Sequence, residues 1–399
     1  MRTIVVVGTG VAGTTAAATL RAEGYDGRLV LVGAEPEAPY RRPALSKEVL
    51  RGDRTTADVR IKPESWYSDH DVELLTGTTV TDLDVAARTV TVDGARLGWD
   101  AVVLATGGRA RTLPGVEGGH VLRTAADVAA LQAVLRPGDD LVVVGAGFLG
   151  AEVAATMRSL GCGVTLLEAA PVPLGRMLPP EVAAFYTELH RGRGVDLRTG
   201  VTVRGTEPGQ VTTSDGAVHR ADAVVVAVGM EPEADLAARA GLSVHGGIVV
   251  DPLGATSAPG VWAAGDAAAF PDPMTGLPRR REHWQSAVTQ GTVVGRNILG
   301  AASPWTDVPW CWSDQYGVNL QVCGDPRADD DMATRGLLSN GKFTVLFSRD
   351  GVLTGAVAVD QPADIRAVRR ILASAPATPV EALLDESADL ARVAAAQPV

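Results

Sequence analysis

Six glycines in two matching sets carry the most explicit chemical signal in this sequence. Gly8, Gly10 and Gly13 follow the apolar run Thr3–Val7, and Gly145, Gly147 and Gly150 follow Leu141–Val144 with the same G-x-G-x-x-G spacing. Between a strand and a helix, the first glycine allows a sharp turn and the second lets backbone approach a pyrophosphate. The third lets the helix pack closely. The helix N-terminus then faces the phosphates. Each set has a carboxylate at the end of the next apolar run: Glu35 stands 22 residues beyond Gly13, and Glu168 stands 18 beyond Gly150. A carboxylate there can accept from a ribose 2′-hydroxyl and repels a 2′-phosphate. Ala169 and Ala170, not an arginine, follow Glu168, so the second site is expected to prefer NADH to NADPH. Arg176 would weaken that preference if it folded back; otherwise it is a solvated or structural arginine.

These residues need a frame. A buried parallel strand over 3–7, an alanine-rich helix to about Gly24 and a strand over 28–33 make a βαβ unit. A loop rich in arginine and proline runs from Glu35 to Ser46, and strands are expected at 72–76, 88–92 and 101–105. The pattern restarts with a strand at 141–144, a helix to about Leu160 and a strand at 164–168. Asp215-Gly216 reads as a hairpin turn between short strands. Strands at 223–228 and 248–252 and a helix from about His283 to Leu299 follow. From Asn319 the character changes: strands at 318–323, 342–347 and 352–359 precede helices at 363–374 and 379–393. The expected fold class is α/β, with two Rossmann-like dinucleotide-binding domains and a small C-terminal α+β domain.

The bulk properties agree. At 399 residues and 46% hydrophobic, the chain can fill several cores and is not disordered. Its 45 glycines have no three-residue period, which excludes collagen. A net charge of −11 makes nucleic acid or an anionic membrane a poor general partner. Cys162, Cys311 and Cys323 form no Cys-x-x-Cys pair and no metal-ligand spacing, so an iron–sulfur protein or a paired-cysteine disulfide reductase is not expected. No apolar run reaches 18 residues, and the N-terminus enters a strand at once; no signal peptide is expected and a cytoplasmic location is. Two dinucleotide sites in one chain suit a flavoenzyme, with FAD in one and a nicotinamide cofactor in the other. The flavin then supplies the redox chemistry, and no side-chain nucleophile is required.

Several stretches now carry a resemblance: VVVGTGVAG at 5–13, YRRPALSKEVL at 40–50, ATGG at 105–108, VVVGAGFLGAEVA at 142–154, VWAAGDAA at 261–268, REHW at 281–284 and WSDQYG at 312–317. With these, the sequence resembles the FAD-dependent pyridine nucleotide-disulfide oxidoreductases over essentially its whole length. Within that superfamily it is most similar to the ferredoxin reductases that serve cytochromes P450 and ring-hydroxylating dioxygenases; rubredoxin reductases and apoptosis-inducing factor are near relatives. The glycine motifs are shared across the superfamily, whereas the stretches around Lys47 and Trp312 are the specific ones. The family often has two prolines where Pro43-Ala44 stands here.

The resemblance implies an FAD-binding domain over 1–112 and 240–315, an NADH-binding domain inserted over 113–239, and a C-terminal domain over 316–399. It implies that Gly8, Gly10, Val11, Ala12, Gly13 and Glu35 hold the FAD diphosphate and ribose, with Ala105, Thr106, Gly107 and Gly265 lining the same site. Asp266 would contact the ribityl or diphosphate region; its plainer role is an N-cap of a helix over 267–270. Gly145, Gly147, Phe148, Leu149, Gly150, Glu168 and Gly229 would hold NADH. Arg41 and Pro43 match loop residues near the flavin, Arg42 less surely. Lys47 and Glu152 match a lysine and a glutamate beside the flavin N5, where they would position the hydride donor. Read plainly, Lys47 is a polar loop residue and Glu152 an acid favoured in a helix's first turn. Trp284 and Trp312 would flank the ring system, or simply pack in cores. His283 reads as structural.

The function implied is NADH-dependent transfer of electrons through FAD to a [2Fe–2S] ferredoxin, which binds transiently. Arg279, Arg280 and Arg281 are docking candidates or a solvated charge run. A monomer or weak dimer is expected. The alternative acceptors are rubredoxin, a quinone, oxygen or another small molecule. A redox-sensing flavoprotein without turnover is the remaining class.

Overall fold

The structure is a computed structural model that describes residues 1–175, 177–272, 275–327, 329–374, 377–384 and 390–395. It divides into two compact units. The first comprises Met1–Ala110, Arg123–Ala125 and Met230–Thr306; the second comprises Arg111–Leu122, Ala126–Gly229 and Asp307–Val399.

The first unit is built on a parallel sheet of five strands in the order Val261–Ala263, Ala101–Leu104, Thr3–Val7, Arg28–Val32, Val72–Leu75. Its strands are valine-rich and apolar on both faces, as a sheet covered on both sides requires; Ile4, Val5 and Val6 are fully buried. The strand order reverses next to the central strand Thr3–Val7, and Gly8 stands at its carboxyl end, where such sheets bind ligands. The helix Val11–Ala22 packs against the helix Trp284–Ile298. Their approach is set by glycine: a Cβ on Gly291 would lie 2.4 Å from the Ala12 carbonyl oxygen, and one on Gly295 would lie 3.0 Å from that of Ala16. A small antiparallel sheet, a small mixed sheet and an antiparallel ribbon of Gly108–Ala110 with Met230–Pro232 complete the unit. The strand expected at 248–252 is only Ile248–Val249. Asp251 ends it, because its Oδ1 accepts from the Leu253 and Ala255 amides at 2.9 Å and closes a turn.

The second unit repeats the plan with four parallel strands in the order Asp196–Thr199, Gly163–Glu168, Asp140–Val144, Ala223–Val226. The helix Phe148–Ser159 follows the second glycine turn. The expected hairpin at Asp215-Gly216 forms, with Gln210–Thr213 paired to Val218–Arg220. Its C-terminal part is a five-stranded antiparallel sheet in the order Trp310–Gln315, Val318–Gly324, Val352–Val359, Lys342–Arg349, Asp331–Leu337. One face of that sheet is covered by the helix Pro362–Ser374. The other face forms a single apolar core with the helix Pro180–Gly192, where Tyr186, Val182 and Ala183 meet Phe343, Val345 and Val357.

Two expectations are corrected here. Trp310–Gln315, read as the end of the first domain, pairs along its length with Val318–Gly324 and so belongs to the C-terminal sheet. Its inward positions are Cys311, Ser313 and Gln315, so no apolar alternation marks it. The helix expected at 379–393 is instead a 3₁₀ turn, Val380–Leu383, and a helix Leu390–Ala395, with 385–389 outside the described residues.

Candidate active site

The two glycine turns have the same stereochemistry. Gly8 has φ +111°, and a Cβ there would lie 2.0 Å from the Ala105 carbonyl oxygen. Gly145 has φ +100°, and its Cβ would lie 2.6 Å from that of Ala227. Gly13 and Gly150 are equally closed: a Cβ on either would lie 2.0 or 1.9 Å from the first glycine's carbonyl oxygen. Gly10 and Gly147 are different: nothing lies within 4 Å of where their Cβ would be. Each turn thus fills its interior and leaves its middle glycine against open space, at the start of the helices Val11–Ala22 and Phe148–Ser159. Val11 and Ala12, and Phe148 and Leu149, open those helices. Such a cradle fits a dinucleotide diphosphate.

Around the first turn the structure gathers Ala105, Thr106, Gly107, Gly265 and Asp266. The Ala105 amide donates to Val7 O at 2.8 Å, which sets its carbonyl against Gly8. Thr106 Oγ1 donates to Glu233 O at 2.5 Å, and the Glu233 amide donates to Gly107 O at 2.9 Å. Gly265 lies beside Ala12, and its amide donates to Gln290 Oε1 at 2.8 Å. Asp266 sits in a 3₁₀ turn, Gly265–Ala267, followed by the strand Ala268–Pro271. No helix starts there, so the N-cap role is overturned. Its carboxylate instead takes the Arg123 guanidinium at 2.8 Å. Burial holds His283 below the usual imidazole range, against the opposing pull of Asp266.

Arg123 was not legible as a site residue. It donates to Gly108 O at 3.0 Å, and its own carbonyl accepts from Arg42 Nη1 at 2.5 Å. Glu35 lies beyond the strand end at Val32, not on it, and its carboxylate accepts from the Tyr40 hydroxyl and from Arg42. Tyr40 Oη also accepts from the Ala125 amide at 3.0 Å. Arg42 is thus a structural tie in this part of the loop, whereas Arg41 is exposed and Pro43 half-buried. Lys47 stands at the centre of a π-helical turn, Leu45–Val49, an irregularity that recurs at functional sites. Trp284 begins its helix and is half-buried.

In the second unit, Glu168 ends its strand and both oxygens are fixed: Oε2 accepts from the Ala146 amide at 2.7 Å and Oε1 from the Ala170 amide at 2.8 Å. Gly229, at φ +106°, accepts at its carbonyl from the Arg111 amide at 3.0 Å. Glu152 is buried and lies past the first helical turn, so the helix-dipole role is overturned. Its Oε1 accepts from Ser313 Oγ at 2.9 Å and from the Asp314 amide at 3.3 Å. Trp312 stacks on Trp310 with ring centroids 5.2 Å apart, and the Arg369 guanidinium lies over Trp310. Arg176 lies outside the described residues.

The docking candidates are mostly occupied. Arg280 pairs with Glu282 at 2.8 Å and Arg281 with Asp272 at 3.4 Å, both with largely buried side chains. Arg279 also reaches Asp272, at 3.0 Å, but is half-exposed. All three cysteines are buried, and burial pushes the thiols of Cys311 and Cys323 up to about 12, so neither is a thiolate at neutral pH. No described helix is long and apolar enough to cross a membrane.

Comparison with known proteins places this geometry. Residues 2–291 match the family model "Pyridine nucleotide-disulphide oxidoreductase", and 310–394 match "Reductase C-terminal". The chain is 38% identical to rhodocoxin reductase of Rhodococcus erythropolis, over 95% of this chain and 91% of that one. It is 39% identical to the ferredoxin–NAD(+) reductase subunit of the benzene 1,2-dioxygenase system of Pseudomonas putida, over 96% and 95%. The putidaredoxin reductase–putidaredoxin complex superposes with a TM-score of 0.94 at 35% identity, covering 99% of both chains. The chain therefore belongs to the pyridine nucleotide-disulphide oxidoreductase family, among its ferredoxin reductases with a dedicated C-terminal domain. It is an oxidoreductase, and family membership brings FAD and a nicotinamide dinucleotide as its cofactors.

Proposed function

We propose that this chain takes electrons from NADH and passes them through FAD to a [2Fe–2S] ferredoxin that serves a cytochrome P450 or a ring-hydroxylating oxygenase. The observation that supports it most is the pair of open glycine turns, one in each unit, in a chain whose relatives are reductases of this kind. FAD, when bound, takes two electrons from NADH and releases them one at a time, as a one-electron carrier requires.

The residues divide this work. Gly8, Gly10 and Gly13 hold the FAD diphosphate, and Val11 and Ala12 offer helix N-terminal amides. Glu35, steadied by Tyr40 and Arg42, keeps lone pairs for the ribose. Ala105, Thr106, Gly107, Gly265 and Asp266 line the same cofactor, with Arg41, Pro43 and Trp284 near its ring end. Lys47 holds charge at the flavin end. Gly145, Gly147, Phe148, Leu149, Gly150 and Gly229 hold NADH. Glu168, immobilised by two amides, accepts from the ribose and repels a 2′-phosphate. Glu152 orients the nicotinamide end, and Trp312 shields the ring. The domains run 1–110, 123–125 and 230–306 for FAD, 111–122 and 126–229 for NADH, and from 307 for the C-terminal part. A monomer or weak dimer in the cytoplasm suits this role.

Stopped-flow mixing tests it. The bound flavin should bleach faster with NADH than with NADPH, and reoxidise when a [2Fe–2S] ferredoxin is added. Turnover with oxygen or a quinone as fast as with ferredoxin would overturn the acceptor.

A further inference from the structure

We propose that Ser313, Gln315, His190 and Tyr316 form a one-way chain of hydrogen bonds that positions the Glu152 carboxylate. Its links are short. Ser313 Oγ lies 2.9 Å from Glu152 Oε1, and Gln315 Nε2 lies 3.2 Å from Ser313 Oγ. Gln315 Oε1 lies 2.9 Å from His190 Nε2, and Tyr316 Oη lies 3.2 Å from His190 Nδ1. Ser313, Gln315 and His190 are fully buried, on elements whose apolar core includes Tyr186, Leu320 and Phe343.

The direction of every bond follows from one end. A carboxylate only accepts, so the Ser313 hydroxyl donates to it. The Ser313 oxygen then receives the amide N–H of Gln315, which turns the amide oxygen toward His190. His190 must donate from Nε2, and in a neutral imidazole Nδ1 then carries no proton and accepts from Tyr316. This requires a neutral imidazole, and burial, opposed by the Gln315 bond, holds His190 below the usual range. The chain is satisfied at each link only in this polarity.

The far end is unusual in its backbone. Tyr316 and Gly317 turn the hairpin between Trp310–Gln315 and Val318–Gly324 with φ of +56° and +81°. Such two-residue turns favour Asn, Asp or Gly at the first position, and a tyrosine there is strained. What the tyrosine contributes is its side chain: the hydroxyl meets His190, and the Arg193 guanidinium lies 5.2 Å over the ring.

A chain that merely filled polar valences would confine the effect of each substitution to stability. A directional chain makes a distant prediction. Loss of the Tyr316 hydroxyl leaves Nδ1 without its Tyr316 donor, so the imidazole is held at one nitrogen instead of two. The ring loses its anchor at that end, and the bonds from Nε2 to Gln315 and from Gln315 to Ser313 are held less tightly. Ser313 then presents its hydroxyl to Glu152 less precisely, although no group in contact with Glu152 has been substituted.

The inference rests on Glu152 acting at the nicotinamide end, and the experiment separates the two. The rate of FAD reduction at saturating NADH and the NADH affinity are measured for holoenzymes carrying Glu152→Gln, Ser313→Ala, Ser313→Thr and Tyr316→Phe. Ser313→Ala and Tyr316→Phe should each slow the limiting rate roughly 5- to 30-fold, with affinity within about twofold, and Ser313→Thr should restore it. Lowered melting temperature with an unchanged limiting rate in Ser313→Ala or in Tyr316→Phe overturns the chain. If Glu152→Gln is slow in that case, the Glu152 assignment survives alone. A Glu152→Gln enzyme at the wild-type rate sinks both. Tyr316→Phe keeps the ring, so it reports even if Ser313→Ala fails to fold.

Discussion

Gly8 and Gly10 are two residues apart and answer to opposite constraints. Gly8 needs a positive φ and has no room for a methyl group, whereas Gly10 has φ −63°, which any residue adopts, and faces open space. Gly8→Ala should therefore cost on the order of 3 kcal/mol or more in apoprotein stability. Gly10→Val should leave apoprotein unfolding within about 0.5 kcal/mol of wild type yet purify with little flavin. Denaturant melts and FAD content distinguish them. Glu168→Ala removes the charge that meets a 2′-phosphate, so the NADH-to-NADPH ratio of kcat/KM should fall about tenfold or more. His190 gives a pH signature. Its folded pKa is depressed, so below pH about 6.5 the unfolded chain takes up a proton that the folded chain refuses. Stability is full above that pH and declines as pH falls toward the folded value, by at most about 1.4 kcal/mol per pH unit for one proton. His283 is shifted the same way, so His190→Gln should reduce this slope without abolishing it in urea melts at pH 7.5 and 5.5.

Among the elements, the pairing of Val11–Ala22 with Trp284–Ile298 leaves no space for a side chain at Gly291. Gly291→Val should force the helices apart and cost about 1–3 kcal/mol; because Gln290 holds the Gly265 amide, flavin retention should fall with it. The helix Pro180–Gly192 offers a test of opposite sign. The Tyr186 hydroxyl is fully buried and has no hydrogen-bond partner among the described residues. Tyr186→Phe should be neutral or stabilise by about 1 kcal/mol, read as a raised Tm. These elements also show what sequence can and cannot convey. The glycine turns were legible because backbone geometry demands glycine whatever surrounds it. Trp310–Gln315 was not, because Ser313 and Gln315 point inward and reverse the usual alternation. Arg123 was not, because Asp266 lies 143 residues away and only the folded chain joins them. Lys47 was found through the resemblance alone; its π-helical turn leaves no local pattern.

At the scale of the molecule, the second unit has one continuous apolar core shared by Leu174–Tyr186 and the C-terminal sheet. A chain ending at Thr306 would expose Val182, Ala183 and Tyr186, so it should be insoluble or lose cooperative unfolding rather than yield a reductase lacking one module.

The first unit is assembled from three separated stretches, and Val261–Ala263 supplies the edge strand beside Ala101–Leu104. On the ribosome that strand emerges long after its neighbour. At about 5–20 residues per second, the gap is roughly 8–30 s. For that time an apolar parallel sheet waits with one side open. A chaperone that shields nascent β-edges would therefore act on this protein before FAD has a complete place to bind.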